Sequence, residues 1–202
     1  MRYPNLSEEK KLWKKGYKRV ACLDEAGRGP LAGPVVAGAV LLKSDFNKLL
    51  KSDFNRIRDS KQLSAKQREY FYEILTTHKE VKWGIGIVSE KIIDRINILE
   101  ATKLAMKKAL KNLKPDYLIL DGNMRLNSVI SQKSIVKADE KVFSCAAASI
   151  LAKVTRDRIM IKYHKKYPKY RFDLHKGYGT KLHLKILKRF GRCAIHRDSF
   201  HF

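Results

Sequence analysis

The sequence is poor in cysteine, in acidic residues and in long apolar runs, and each shortage excludes a class of protein. Its three cysteines, Cys22, Cys145 and Cys193, are odd in number and lack metal-ligand spacing, which argues against a disulfide framework and a zinc site. Residues 1–18 are polar and charged, unlike a secretory signal. No apolar run reaches the roughly 18 residues of a membrane-spanning helix. A reducing compartment, by default the cytoplasm, is expected.

The shortage of acidic residues leaves a large positive charge. The chain carries 44 Lys and Arg against 20 Asp and Glu, a net charge of +24, and half of that excess lies within residues 150–202. Such a charge attracts a polyanion, and nucleic acid is the first candidate. A ribosomal protein, a membrane-surface protein or a merely lysine-rich soluble surface would show the same balance, so charge alone does not decide.

The apolar pattern of the 202 residues predicts an α/β fold. Five runs are predicted to form strands, the first two as an antiparallel pair: 18–24, 35–42, 83–88, 117–120 and 134–136. Three longer segments have helical spacing: 64–77, with Ser64 as N-cap, 98–113 and 140–167. The tail is predicted to form shorter helices and loops. This order predicts a mixed five-stranded sheet with flanking helices. The segment LLKSDFN occurs twice, at 41–47 and 49–55, which indicates a small duplication in a surface loop.

Three carboxylates stand at the ends of apolar strands. Asp24 and Glu25 follow VACL, and Asp121 follows YLIL. A charged group beside a buried strand is unfavourable unless it is paired or bound to a metal. Carboxylates at neighbouring strand ends can face one point, where a divalent cation relieves their repulsion. Oxygen ligands select magnesium or manganese, and two such ions roughly 3.5–4 Å apart activate water and stabilise a leaving oxygen.

Each of these carboxylates also has an ordinary structural interpretation. Asp24 and Glu25 could simply open a turn before Gly27, and Asp121 with Gly122 is a common turn dipeptide. These alternatives stay open when the residues are taken one at a time.

Two acidic residues further along the chain have structural interpretations of the same kind. Asp139 is a natural N-cap for the long helix. Asp157, between Arg156 and Arg158 inside that helix, is expected in a surface ion pair. From the residues alone, metal-dependent phosphoryl transfer on nucleic acid is one hypothesis among several.

Residues 24–34, DEAGRGPLAGP, resemble the signature of type 2 ribonuclease H, called ribonuclease HII in bacteria. Further blocks agree in the family's order: 59–64, 97–99, 121–123, 137–139, 147–157, 175–180 and 196–197. The resemblance covers about residues 18–200 and implies an RNase H-like fold with a helical C-terminal part. The Gly-Arg-Gly form of the signature, rather than Gly-Lys-Gly, speaks against the related type 3 enzymes.

The resemblance also implies an activity. Family members are endonucleases that hydrolyse the RNA strand of RNA–DNA hybrids and cut 5′ of single ribonucleotides in duplex DNA, leaving a 3′-hydroxyl and a 5′-phosphate. Carried over by position, the catalytic metal ligands are Asp24, Glu25, Asp121 and Asp139, holding Mg²⁺ or Mn²⁺, with two ions in the substrate complex. Asp157 also matches a family motif but is kept as structural.

Substrate recognition is implied for Gly27, Arg28, Gly29, Lys61 and Tyr178. Glycines let the backbone approach a sugar closely, and the 2′-hydroxyl that separates RNA from DNA both donates and accepts hydrogen bonds. A solvent-exposed turn arginine, a surface lysine and a core tyrosine stay open as the alternatives for Arg28, Lys61 and Tyr178. Four further residues are expected to line or brace the cleft, without a catalytic histidine: His175, Lys176, His196 and Arg197.

The expected organisation is a polar lead-in at 1–17, an RNase H-like catalytic domain at 18–168 and a basic helical part at 169–202 that completes the substrate cleft. The expected partners are RNA–DNA hybrid and ribonucleotide-containing duplex DNA, with no membrane, no clamp-binding peptide and a monomeric state. Two rivals stay open. One is a non-catalytic nucleic-acid-binding protein, and the other is a different RNase H-like enzyme, such as a junction resolvase or a transposase core, that cuts DNA without needing a 2′-hydroxyl.

Overall fold

The fold is built on a single sheet, seen in a computed structural model that describes residues 3–44, 46 and 53–200. Its strands are β1 (Arg19–Ala26), β2 (Val35–Lys43), β3 (Lys82–Val88), β4 (Tyr117–Asp121) and β5 (Ser131–Ile135). Their order is β3-β2-β1-β4-β5. The β1–β2 and β2–β3 pairs are antiparallel, whereas β1–β4 and β4–β5 are parallel. The predicted mixed five-stranded sheet and its early antiparallel pair are confirmed.

Helices cover both faces of this sheet. They are α1 (Ser7–Lys14), α2 (Ala65–Thr77), α3 (Glu90–Leu110), α4 (Ala138–Lys141), α5 (Phe143–Lys166), α6 (Phe172–His175) and α7 (Lys181–Phe190). Val40 and Leu42 of β2 pack with α2 and α5, whereas Leu41 between them packs with α3. This two-residue alternation puts α5 and α3 on opposite faces, and it explains why β2 is apolar throughout.

Small residues, among them the alanines at 146–148, let α5 pack close to the sheet. A Cβ atom placed on Gly38 of β2 would lie 2.3 Å from the carbonyl oxygen of Ala148. Only a glycine at this position lets α5 approach so closely. This close contact holds α5 in place, and α5 is the helix that follows Asp139, the last of the predicted metal ligands.

The long helix begins later than the sequence predicts. Its predicted start at residue 140 is wrong, because Val142 is extended (φ −113°, ψ 120°) and separates α4 from α5. The N-terminal segment causes this break: Asn5 bridges to Val142, and its carbonyl accepts a hydrogen bond from the Phe143 amide. Asp139 therefore lies inside the short α4 and is not the N-cap of the long helix.

The predicted helix at 98–113 is the second half of a longer one. Helical hydrogen bonding extends over Glu90–Leu110, but Asn97 has φ +64° and marks a kink. The Asn97 side chain accepts a hydrogen bond from the Glu100 amide at 3.1 Å and so caps the second half. The half before Asn97 was missed by the prediction.

The other differences are smaller. The predicted N-cap of α2 is present, with Ser64 and Gln67 bonded reciprocally in a capping box. The fifth strand lies at Ser131–Ile135, slightly earlier than 134–136, because an edge strand with half-exposed polar residues has little apolar signal. Residues 45 and 47–52 of the LLKSDFN duplication lie outside the described residues. No described helix is both long and apolar enough to cross a membrane.

Candidate active site

Three of the predicted carboxylates meet at one edge of the sheet. Asp24 lies near the end of β1 and Asp121 ends β4, and the parallel register pairs their predecessors Leu23 and Leu120. Asp139 reaches the same place from α4, which follows β5 closely. One oxygen from each of Asp24, Asp121 and Asp139 lies within 4.8 Å of the other two. We call these three residues the carboxylate cluster.

The carboxylate cluster is electrostatically unfavourable without a cation. Burial raises the pKa of Asp24 well above its usual range, and the neighbouring charges of Glu25, Asp121 and Asp139 raise it further. Burial, followed by the charge of Asp121, raises the pKa of Asp139 to about 6, although Lys61 opposes this. A bound divalent cation would reverse both shifts, because it favours the charged form of each carboxylate.

Glu25 stands beside the cluster rather than within the group of three. Its Oε1 accepts from the Arg28 guanidinium at 3.3 Å, while burial raises the pKa of its carboxyl. Its Oε2 is buried and has no hydrogen-bond partner among the described residues. This oxygen is therefore available to a cation bound at the cluster, although Oε2 of Glu9 and Oε2 of Glu90 also lack a partner among the described residues.

The donor set suits a hard divalent cation. Asp24, Asp121, Asp139 and Oε2 of Glu25 offer only oxygen, with no histidine or cysteine among the three clustered residues. Such ligands favour Mg²⁺ or Mn²⁺ over zinc. The Ala138 amide donates to Oδ1 of Asp121 at 2.6 Å, which holds that carboxylate in position.

Lys61 lies at the rim of the cluster. Its Nζ is 3.5 Å from Oδ2 of Asp139, and its side chain is 79% exposed. Asp59, which was not among the predicted site residues, is also a neighbour of this site. That carboxylate is buried, accepts from the Lys61 amide at 3.0 Å and adds to the charge that raises the pKa of Asp139. Its place in the DSKQLS block was the only signal.

The turn at 27–29 follows β1 directly and lies beside Glu25. Gly27 has φ +98°, and a Cβ atom there would lie 2.1 Å from Nε of Arg156. Arg28 and Gly29 are exposed. The turn therefore presents backbone at the mouth of the site, as the resemblance implies, and Arg28 is exposed but paired with Glu25 rather than free in solvent.

Tyr178 is 39% exposed, so a core tyrosine is the wrong description of it. Lys153 and Arg156 lie 5.7 Å and 5.5 Å from its ring centroid. The segment before it is joined to the glycine-rich segment after β1, because the Leu31 amide donates to the Gly177 carbonyl at 2.8 Å. Asp157 pairs with Lys153 at 2.8 Å.

Three buried histidines lie in contact next to this tyrosine. The rings of His175 and His183 stack with centroids 4.2 Å apart, and Nε2 of His183 lies 3.1 Å from Nε2 of His196. Nδ1 of His183 is 3.0 Å from the Tyr178 carbonyl. Burial, followed by the His175 charge, lowers the pKa of His183 to about 4, so this histidine is neutral at pH 7. His183 was not among the predicted site residues, since its spacing in the sequence has no pattern that points to a site.

The complete burial of two arginines was also not predicted. Arg156 and Arg197 are both 0% exposed. Arg197 was expected to line or brace the cleft, and its contacts are those of a brace. Arg156 was noted only as a neighbour of Asp157. Burial of an arginine has no sequence signature, because arginine is usually a surface residue.

Comparison with known proteins shows which family this chain is similar to. A family model described as ribonuclease HII matches residues 21–202. The ribonuclease HII of Chlamydia muridarum is 54% identical, covering 93% of this chain and 84% of that protein. The ribonuclease HII of Acetivibrio thermocellus is 53% identical, covering 95% and 73%.

Solved structures of enzymes from this family are also similar to this chain. RNase HII of Archaeoglobus fulgidus, in its complex with PCNA, is 27% identical with a TM-score of 0.74, covering 91% of this chain and 95% of that one. Ribonuclease H2 of Pyrococcus horikoshii is 28% identical with a TM-score of 0.71, covering 91% and 94%.

Proposed function

Because this chain belongs to the ribonuclease HII family, and is therefore a nuclease that hydrolyses RNA in RNA–DNA hybrids, we propose that it also cuts duplex DNA on the 5′ side of single embedded ribonucleotides. The products would be a 3′-hydroxyl and a 5′-phosphate. The observation that carries this proposal is the carboxylate cluster, with its oxygens within 4.8 Å of one another, next to the exposed backbone of turn 27–29.

Asp24, Glu25, Asp121 and Asp139 would hold divalent metal, Mg²⁺ or Mn²⁺. Two ions held there with the substrate phosphate would supply an activated water and stabilisation of the leaving 3′-oxygen. The Ala138 amide keeps Asp121 oriented toward the site. Burial keeps Asp24 and Asp139 largely out of water, which favours their binding to a cation over hydration.

Charged side chains and backbone groups have separate roles in recognising the nucleic acid. Lys61 and Arg28 lie at the rim of the cluster and provide positive charge for phosphates, which positions any duplex regardless of sequence. Turn 27–29 and the exposed ring of Tyr178 select a ribose, the former through backbone groups that match the 2′-hydroxyl and the latter by packing on the sugar. The basic 169–202 part completes the cleft.

One assay tests the proposal against its rivals. The protein is incubated with an RNA–DNA hybrid, a DNA duplex carrying one ribonucleotide and the same duplex in all-DNA form, each with Mg²⁺ and with EDTA. We expect Mg²⁺-dependent cutting of the first two and none of the third. Cutting of the all-DNA duplex would favour a resolvase-like enzyme, and binding without any cutting would favour a non-catalytic nucleic-acid-binding protein.

Three further expectations from the sequence belong with this proposal. A cytoplasmic location, a monomeric state and the lack of a clamp-binding peptide stay predictions. The relative from Archaeoglobus fulgidus was solved in complex with PCNA, so a binding measurement between this chain and a sliding clamp is the direct check of the last.

A further inference from the structure

Two buried cations, Arg156 and Arg197, lie beneath turn 27–29. Arg156 and Arg197 are fully buried, and neither forms an ion pair with a carboxylate within the described part of the chain. A buried charge is strongly unfavourable unless its hydrogen bonds are satisfied. Here backbone carbonyls satisfy them, three for each guanidinium.

The two arginines hold different carbonyls. Arg156 donates to Pro34, Lys176 and Ala32 at 2.9, 2.9 and 3.1 Å. Arg197 donates to Gly33, Arg28 and Gly27 at 2.9, 2.9 and 2.6 Å. Arg197 is thus the one of this pair that holds the turn facing the cleft.

The Arg197 contacts determine where the donors of the turn point. In a trans peptide the carbonyl of one residue and the N–H of the next lie in one plane and point in opposite directions. Because the Gly27 and Arg28 carbonyls point down to Arg197, the amides of Arg28 and Gly29 point away from it. Arg28 and Gly29 are exposed, and neither amide has a backbone acceptor among the described residues. The turn therefore offers two outward donors.

Arg197 is itself held from α3. The carboxylate of Asp94 accepts from the amides of Asp198 and Ser199 at 3.0 and 2.9 Å. The Arg197 amide donates to the Leu31 carbonyl at 2.9 Å. The backbone on either side of the guanidinium is therefore tied both to the glycine-rich segment and to a helix that packs on the sheet.

We propose that Arg197 is the positioning residue for ribose selection, holding the Gly27 and Arg28 carbonyls from beneath so that the Arg28 and Gly29 amides face the 2′-hydroxyl. The proposal rests on the proposed function, since it concerns how turn 27–29 recognises a ribose. Arg197 touches neither substrate nor metal in this role. Its guanidinium fork reaches three carbonyls at once, which a lysine ammonium on a flexible stem does not reproduce.

The test compares binding preferences in the cleavage-inactive Asp121→Asn background. Dissociation constants are measured in Mg²⁺ for a duplex with one ribonucleotide and for the same all-DNA duplex, and their ratio is the preference for ribose. Adding Arg197→Lys is expected to reduce that preference about tenfold. The dissociation constant for the all-DNA duplex should stay within about twofold, because surface lysines provide most of the binding to DNA. Arg156→Lys, matched in burial and in number of carbonyl contacts, is expected to keep most of the preference.

A second variant protects the test against a folding defect. Asp94→Ala removes a half-exposed anchor of the Arg197 segment without touching the core, and is expected to lower the preference several-fold. The idea is overturned if folded Arg197→Lys keeps the parental preference, if Arg156→Lys loses as much, or, should Arg197→Lys not fold, if Asp94→Ala changes nothing. A parent protein without any preference would instead count against the proposed function.

Discussion

The carboxylate cluster and the pair of arginines beneath turn 27–29 form two regions whose buried charges are stabilised in opposite ways. In the cluster, Asp24, Asp121 and Asp139 repel one another, and burial raises the pKa of Asp24 and Asp139. Beneath the turn, the charges of Arg156 and Arg197 are met by backbone carbonyls. The anionic region is incomplete without a ligand, whereas the cationic region is complete within the fold. We therefore expect the carboxylate cluster to bind a ligand and the two arginines to hold the backbone of the turn in position.

The largest expected effect comes from Asp121→Asn, which keeps the shape of the side chain and removes one charge from the cluster. Cleavage of a hybrid should fall by roughly three orders of magnitude or more, because metal binding weakens. Thermal stability in EDTA should stay the same or rise, since like-charge repulsion is relieved. Initial rates and melting curves measure both effects. Retained Mg²⁺-dependent cutting would contradict the site assignment.

The next largest effect distinguishes two glycines of one turn. Gly27→Ala should cost about 2–4 kcal/mol in the free energy of unfolding, because φ is positive and the new methyl meets Arg156. The methyl of Gly29→Ala meets no atom of the described residues within 4 Å, so this change should alter stability by less than roughly 0.5 kcal/mol. Urea unfolding measures both variants.

Gly29→Ala also sharpens the functional comparison. A methyl on the exposed side of turn 27–29 should lower cutting at a single ribonucleotide although the protein is as stable as the wild type. A stable Gly29→Ala protein with unchanged cutting would show that the sugar does not approach this turn.

Asp139 in the carboxylate cluster and His183 beside the Tyr178 carbonyl should also respond to pH with opposite sign when metal is absent. The pKa of Asp139 is raised to about 6, so its contribution is favourable near pH 4 and is lost as pH rises through 6. The pKa of His183 is lowered to about 4, so its contribution is present above pH 6.5 and is lost as pH falls toward 4.

Variants separate these two contributions. Asp139→Asn should be more stable than the wild type at pH 7.5, and His183→Gln less stable, each by about 1–2 kcal/mol after screening. Both differences should shrink at pH 4.5. Urea unfolding in EDTA at both pH values is the measurement, and a gap for Asp139→Asn that widened in acid would contradict the assigned direction.

The smallest effect is expected from Lys61→Gln. The side chain is largely exposed, so the free energy of unfolding should change by less than roughly 0.5 kcal/mol. Loss of a phosphate contact should raise KM a few-fold with kcat nearly unchanged, and Lys61→Arg should restore it. Steady-state kinetics at two salt concentrations measure this, because a phosphate contact weakens as salt rises. A KM of Lys61→Gln equal to that of the wild type would remove Lys61 from the interface.

Much of the fold was predictable because its signals are local. The apolar runs at β1, β2 and β4, the N-cap at Ser64 and the glycine-rich turn depend on neighbouring residues only. The predicted bounds of helices and strands were wrong where a segment distant in the sequence contacts the element. Asn5, far away in sequence, separates α4 from α5, and polar β5 is a strand only because β4 lies beside it. Periodicity carries no information about such partners.

For the site, the sequence by itself determined which residues carry charge, that Asp24 and Asp121 end apolar strands, and, through ordered motifs, the family. Only the tertiary structure decided that Asp139 joins them from α4, that one oxygen of Glu25 has no donor in the described part of the chain, and that Arg197 lies beneath turn 27–29. The physical reason is that the energy of a charge depends on its desolvation and on the groups facing it, and folding brings those groups from distant parts of the chain.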